Sequence, residues 1–118
     1  MINVTFSHEK DIDTIVLKVE GHAGQNEKGH DIVCSAASIL TYTIAQYLKF
    51  INERGGLQKK PHIVLNDGDA LIVAKPKSEF EAEVLNAFFV AEVGYSLLEH
   101  NYPQYVKLNM FGENNKGW

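Results

Sequence analysis

Apolar and polar residues alternate in short segments of the chain, and each alternation predicts a β-strand. Near the N-terminus, Ile2, Val4 and Phe6 are separated by single polar residues, which is typical of a strand with one buried face. Four further segments have strand character, at residues 15–20, 62–65, 70–74 and 105–108. Residues 66–69, Asn-Asp-Gly-Asp, have the composition of a tight turn, so the third and fourth strands are predicted to form a hairpin.

Two longer segments repeat apolar residues at helical spacing. The first helix is predicted from about residue 32 to residue 53 and ends at Gly55-Gly56; its apolar face comprises Val33, Ala37, Leu40, Ile44, Leu48 and Ile51. The second is predicted from about residue 79 to residue 100, with an apolar face of Phe80, Val84, Phe88, Ala91, Tyr95 and Leu98. This second helix carries an additional apolar stripe of Leu85, Phe89, Val93 and Leu97. The extra stripe indicates either a well-buried helix or the surface of a homodimer.

The predicted order is strand, strand, helix, strand, strand, helix, strand. Hairpins joined by helices favour an α+β fold, with a mostly antiparallel five-stranded sheet and both helices on one face. At 118 residues, with no linker, repeat or low-complexity segment, the chain is predicted to be a single domain over residues 1–118.

Charge and hydropathy exclude some classes of function. The formal net charge of −4 argues against a protein that neutralises nucleic-acid phosphates, and it is compatible with a basic protein partner. No apolar run is long enough to span a bilayer, so no membrane association is predicted. The single cysteine rules out an internal disulfide and a multi-cysteine metal site. With no cysteine pair, nothing in the sequence suggests an oxidising compartment, and no cofactor or metal is predicted.

That single cysteine, Cys34, is the first candidate for chemistry. A lone cysteine in an apolar segment is usually a small buried hydrophobic residue. Here, however, Asp31 is a good helix N-cap, and a cap there would put Cys34 in the first helical turn, where the dipole stabilises a thiolate. Ser38 follows Cys34 by one turn on a small, polar stripe, which leaves room beside the sulfur. The unpaired N–H groups of the helix start are candidate oxyanion donors.

The second candidate is His22, in the sequence Gly21-His22-Ala23-Gly24. The glycines allow the backbone to turn sharply just after a strand. An imidazole beside a thiol can remove the thiol proton and later protonate a leaving amine. The glycine-containing loop over residues 21–31 is predicted to be mobile and to close over a substrate.

These residues carry a resemblance to a known family. The Gly-His-Ala-Gly sequence, followed by Gly-x-Asp-Ile-Val-Cys and a small-residue run that ends at Ser38, resembles the bacterial ribosomal-processing cysteine proteases (Prp). The length and the later sequence Tyr-Pro-Gln-Tyr-Val at residues 102–106 are also similar. The resemblance implies a homodimeric cytoplasmic endopeptidase that removes an N-terminal extension from large ribosomal subunit protein number twenty-seven. The family's catalytic histidine and cysteine fall on His22 and Cys34.

Several alternatives remain at this stage. Asp31 could orient His22 as a third catalytic group instead of capping the helix. His22, His30 and Cys34 could together bind zinc, which takes nitrogen and sulfur ligands. A non-catalytic, ribosome-associated binding module could also retain His22 and Cys34 as packing residues.

Overall fold

The computed structural model of the chain describes residues 1–22 and 28–112, and side chains for 1–22 and 32–110. Five strands and two α-helices follow in the predicted order: β1 (Ile2–Glu9), β2 (Thr14–Glu20), α1 (Lys28–Glu53), β3 (His62–Asn66), β4 (Asp69–Ala74), α2 (Glu81–Asn101) and β5 (Val106–Gly112). The predicted α+β class is confirmed. No helix among the described residues is both long enough and apolar enough to cross a membrane.

The five strands form one sheet in the order β3-β4-β2-β1-β5. The pairs β1–β2, β2–β4 and β3–β4 are antiparallel, which agrees with the predicted mostly antiparallel sheet, whereas β1 and β5 are parallel. The parallel pair follows from the connection. β4 runs in the same direction as β1 because both are antiparallel to β2, and α2 is a helical crossover that returns the chain in that direction.

Both helices cover one face of the sheet. Alternate residues of β1, including Val4 and Phe6, are fully buried beneath them. Phe6 makes edge-to-face contacts with Phe88 and Tyr95 of α2, with ring centroids 6.2 and 5.8 Å apart. Aromatic pairs of this geometry add to the burial energy of their apolar surface. The core is therefore a sandwich of one sheet face and two helices.

The first helix starts earlier than predicted. α1 begins at Lys28 rather than at Ile32, so Asp31 lies inside the helix and is not its N-cap. Cys34 is consequently in the second turn of α1 and not in the first. The physical reason is that aspartate is favoured both at the N-cap and within the first turn, so Asp31 alone does not specify the start. Of the predicted mobile loop 21–31, residues 28–31 are helical, and residues 23–27, with Gly24, lie outside the described part.

The additional apolar stripe of α2 is exposed rather than buried. Phe89, Val93 and Leu97 are 40%, 46% and 59% exposed, and Val90 beside them is 62% exposed. Only Leu85 packs partly against the core. Of the two interpretations of this stripe, the well-buried helix is therefore wrong.

A buried carboxyl group on α2 predicts how the stability of the protein depends on pH. Glu92 is only 7% exposed, and burial raises the pKa of its carboxyl. No described residue offers a hydrogen bond to its Oε2. The native state thus binds a proton that the unfolded state has lost, so this group lowers stability as the pH rises from the ordinary glutamate pKa through the raised value.

Glu92→Gln removes that ionisation. We expect it to raise the free energy of unfolding by about 1 kcal/mol at pH 7 and by much less at pH 4, where the carboxyl is mostly protonated in both states. Urea unfolding at the two pH values measures this, with the exposed Glu79→Gln as a matched control. An equal effect of Glu92→Gln at both pH values would contradict the prediction.

Candidate active site

A cavity of about 90 Å³ lies where β2 ends, beside α1 and the β3–β4 turn. His22 and Cys34, the predicted pair, both line it, and so does Ser38 one helical turn after Cys34. The remaining lining residues are Ile2, Val19, Gly21, Ala37, Thr41, Tyr42 and residues 65–70. The tertiary structure therefore brings the two candidate residues, 12 positions apart in the sequence, to one concave site.

The backbone around His22 is held from two sides. The N–H of Gly21 donates a hydrogen bond to the carbonyl of Gly68 at 2.9 Å, and the nitrogen of Met1 donates to the carbonyl of His22 at 2.5 Å. Gly21 has a φ of +95°, and a Cβ at this position would overlap the carbonyl oxygen of Met1. Only glycine meets both constraints. Gly21 thus fixes the course of the backbone at His22, while its predicted supporting role in catalysis stays a prediction.

The imidazole of His22 packs on a residue that the sequence did not single out for the site. A Cβ added to Gly68 would lie 2.7 Å from Cε1 of His22, so the ring occupies the space that a side chain would need. Gly68 also has a φ of +74°, in the left-handed region that favours glycine. The sequence predicts a turn at Gly68, but its contact with His22 depends on the register of β2 against β4, which pairs Glu20 with Asp69.

Cys34 is a free thiol that is partly buried against the core, on the edge of the cavity. Since α1 starts at Lys28, its unpaired N–H groups belong to residues at least three positions before Cys34. The N–H of Cys34 itself is hydrogen-bonded within the helix. The role of the helix-start N–H groups as oxyanion donors stays a prediction.

One wall of the cavity is fixed by a buried hydroxyl pair. The hydroxyl of Thr41 donates to the carbonyl of Ala37 at 2.8 Å, so the hydroxyl of Tyr95, 2.5 Å from Thr41 Oγ1, is the donor of their shared hydrogen bond. Burial raises the pKa of Tyr95 to about 12, and Tyr95 therefore stays neutral at physiological pH. This satisfied pair holds α2 against the part of α1 that carries Cys34 and Ser38.

Two of the predicted supporting residues are not placed in the cavity by the described structure. Gly24 lies outside the described residues, and the side chain of Asp31 does too, so the orienting role considered for Asp31 stays a prediction. The zinc alternative requires His30, whose side chain is also outside the described part. Among the described side chains, no group of three histidines, cysteines or acidic residues is arranged to hold a metal ion.

Solved structures share this fold. The crystal structure of SMU.848 from Streptococcus mutans matches with 25% identity and a TM-score of 0.70, over 96% of each chain. The ribosomal processing protease Prp from S. aureus, in complex with a substrate peptide, matches with 21% identity and a TM-score of 0.67, over 94% of this chain and 100% of that one. The same protease with a covalently linked product peptide matches with 23% identity, a TM-score of 0.65 and the same coverage.

No curated protein matches the chain in sequence. The family model of the cysteine protease Prp matches residues 1–107, which is most of the chain and includes both His22 and Cys34. The match agrees with the resemblance found in the sequence, and the cavity places a thiol and an imidazole at one site. The chain therefore belongs to the family of the cysteine protease Prp.

Proposed function

We propose that this cysteine protease cleaves its substrate with Cys34 as nucleophile and His22 as general base and acid. The observation that carries the proposal is that both residues line one cavity at the end of β2. His22 removes the proton of the Cys34 thiol, and the thiolate attacks the scissile carbonyl. Collapse of the tetrahedral intermediate breaks the C–N bond, and the imidazolium protonates the departing amine. Water then hydrolyses the thioester and regenerates the thiol.

The proposed substrate is a ribosomal protein with an N-terminal extension, large ribosomal subunit protein number twenty-seven. The family assignment supports this, because the S. aureus member is a ribosomal processing protease whose structure holds a substrate peptide. The net charge of −4 is compatible with a basic partner of this kind in the cytoplasm. Incubation of the purified protein with the extended ribosomal protein, followed by mass spectrometry, tests the proposal. Binding without cleavage would instead favour the non-catalytic binding module.

The reactivity of the single thiol separates a nucleophile from a packing residue. The helix dipole acts mainly within the first turn, and Cys34 lies in the second, so His22 must supply most of the activation. We expect alkylation of folded protein to stay fast at pH 7 and His22→Ala to move this reactivity to higher pH. Alkylation rates as a function of pH measure both effects. A profile that His22→Ala leaves unchanged would show that the two side chains do not interact.

We further propose that the protein is a homodimer. The supporting feature is the exposed apolar stripe of α2, formed by Phe89, Val90, Val93 and Leu97, because contiguous apolar surfaces of this kind commonly mark protein interfaces. Light scattering at micromolar concentration is expected to give twice the mass of the 13.2 kDa chain, and Val93→Asp to give the monomer. A monomeric wild-type protein would contradict the proposal.

A further inference from the structure

A second cavity lies farther along α1 than the cavity that holds His22 and Cys34. The second cavity has a volume of about 480 Å³ and is lined by Lys49, Asn52, Glu53, Lys60, Pro61, Ile63 and Leu65. Leu65 lines both cavities. On α1, the lining residues of the first cavity include Cys34, Ser38 and Thr41, and those of the second are Lys49, Asn52 and Glu53. These positions share one face of a helix with 3.6 residues per turn. The shared residue and the shared helix face place the two cavities in line along the surface between α1 and β3, a surface that we call the groove.

The other wall of the groove is the edge of the sheet. β3 is the outermost strand next to β4, and among the described residues it has no second neighbour. The β3–β4 turn has two residues and is closed by the pair Asn66–Asp69. The closing pair of a two-residue hairpin is hydrogen-bonded. Because hydrogen-bonded and non-hydrogen-bonded pairs alternate along an antiparallel ladder, the backbone N–H and C=O groups of Leu65 and Ile63 point to the open edge and not to β4. Their side chains, meanwhile, line the groove.

The dimensions of the groove match an extended peptide. From Cys34 to Glu53, α1 rises by about 28 Å, which is the length of about eight residues in a strand. Leu65 and Tyr42 give the end next to Cys34 an apolar surface, since they are 38% and 53% exposed. An open strand edge beside pockets for alternate side chains is the arrangement that binds peptides by strand addition.

We propose, on the basis of the protease function above, that the substrate peptide binds as an added strand on the open edge of β3. Its backbone pairs with the outward N–H and C=O groups of Leu65 and Ile63. Its side chains on one face lie over Leu65 and Ile63, and the chain extends away from the scissile bond towards Lys49 and Lys60. The edge of the sheet, which the sequence shows only as a third strand, thereby sets the length of substrate that the protein recognises.

Amide hydrogen exchange tests the pairing directly. The probe is a synthetic peptide that spans the junction between the extension and the mature ribosomal protein, bound to the Cys34→Ser protein so that it is not cleaved. We expect exchange at Ile63 and Leu65 to slow at least tenfold on binding. The amide of Val64, which belongs to a pair that already bonds to β4, serves as internal control and should change less than twofold. Binding that leaves the Ile63 and Leu65 amides unchanged would overturn the proposal.

A backbone substitution gives an independent test in the active enzyme. Ile63→Pro removes a backbone N–H that points to the open edge but no hydrogen bond between β3 and β4. Proline is tolerated at such positions of an edge strand. We expect it to lower kcat/KM for the long peptide at least tenfold, while Ile63→Val, which keeps the donor, stays within about twofold of wild type. Alkylation of Cys34 should be unaffected by either variant, and thermal melting verifies that both are folded. Equal kcat/KM values for the two variants would overturn the proposal.

The outcomes distinguish this proposal from the protease function. If the wild-type protein cleaves the peptide but the peptide does not slow exchange at Ile63 and Leu65, the protease function stands and strand addition is rejected. If the peptide slows exchange at Ile63 and Leu65 but the wild-type protein does not cleave it, strand addition stands and the protease function is rejected. Protection of Ile63 and Leu65 that depends on protein concentration and not on peptide would show a second copy of the chain at this edge, which also overturns the proposal.

Discussion

Cys34→Ser is expected to lower kcat/KM for the extended ribosomal protein by about 10⁴-fold or more, without loss of the fold. In a site arranged for a cysteine, a serine hydroxyl beside the same imidazole is a far weaker nucleophile than the thiolate. Loss of the nucleophile eliminates the route through a covalent intermediate. Cys34 is only partly buried and the exchange alters one atom, so the free energy of unfolding should change by less than about 1 kcal/mol. Cleavage measured by mass spectrometry and unfolding measured by urea test the two parts separately.

The matched control for this variant is Ser35→Ala, at the next residue of α1. Ser35 is exposed and does not line the cavity, so the variant should cleave at the wild-type rate. Wild-type activity in Cys34→Ser would remove Cys34 from the mechanism, whatever the alkylation profile showed.

The second large effect is expected at Gly68, a residue that carries no chemistry of its own. In Gly68→Ala the new methyl group would overlap the imidazole of His22, so the ring must leave its position over the turn. Displacement of a catalytic group by about 1 Å costs up to about 10²-fold in rate. We therefore expect kcat/KM to fall about 10- to 100-fold, with a loss of stability of about 1 kcal/mol from the left-handed backbone.

Gly55→Ala separates these two causes. Gly55 has a φ of +76°, close to the +74° of Gly68, but a Cβ there meets nothing within 4 Å. Both variants should thus lose similar stability, measured by urea unfolding, and only Gly68→Ala should lose activity. If the two variants lost activity equally, strain in the backbone, rather than contact with His22, would explain the effect.

Local patterns were sufficient for the secondary-structure elements and for the family. Periodicities of two and 3.6 residues depend only on which face of an element is buried, so they predicted all five strands and both helices in order. The pairing of a glycine-flanked histidine with a single cysteine is also a local signal, and the family match agrees with it. The start of α1 was less well determined, because Asp31 is compatible with a cap and with a helical position, and only the whole chain places the first turn at Lys28.

The sequence by itself thus determined the order of elements and the family, and it proposed His22 and Cys34 as the reactive pair, since each of these follows from neighbouring residues. The tertiary structure decided the rest, because it depends on strand register and packing between distant segments. Only the pairing of β2 with β4 brings Gly68 under His22, and only the sheet order leaves β3 as an edge next to α1. The exposure of Phe89, Val93 and Leu97 likewise depends on which stripe of α2 meets the core, a choice that two apolar stripes on one helix leave open.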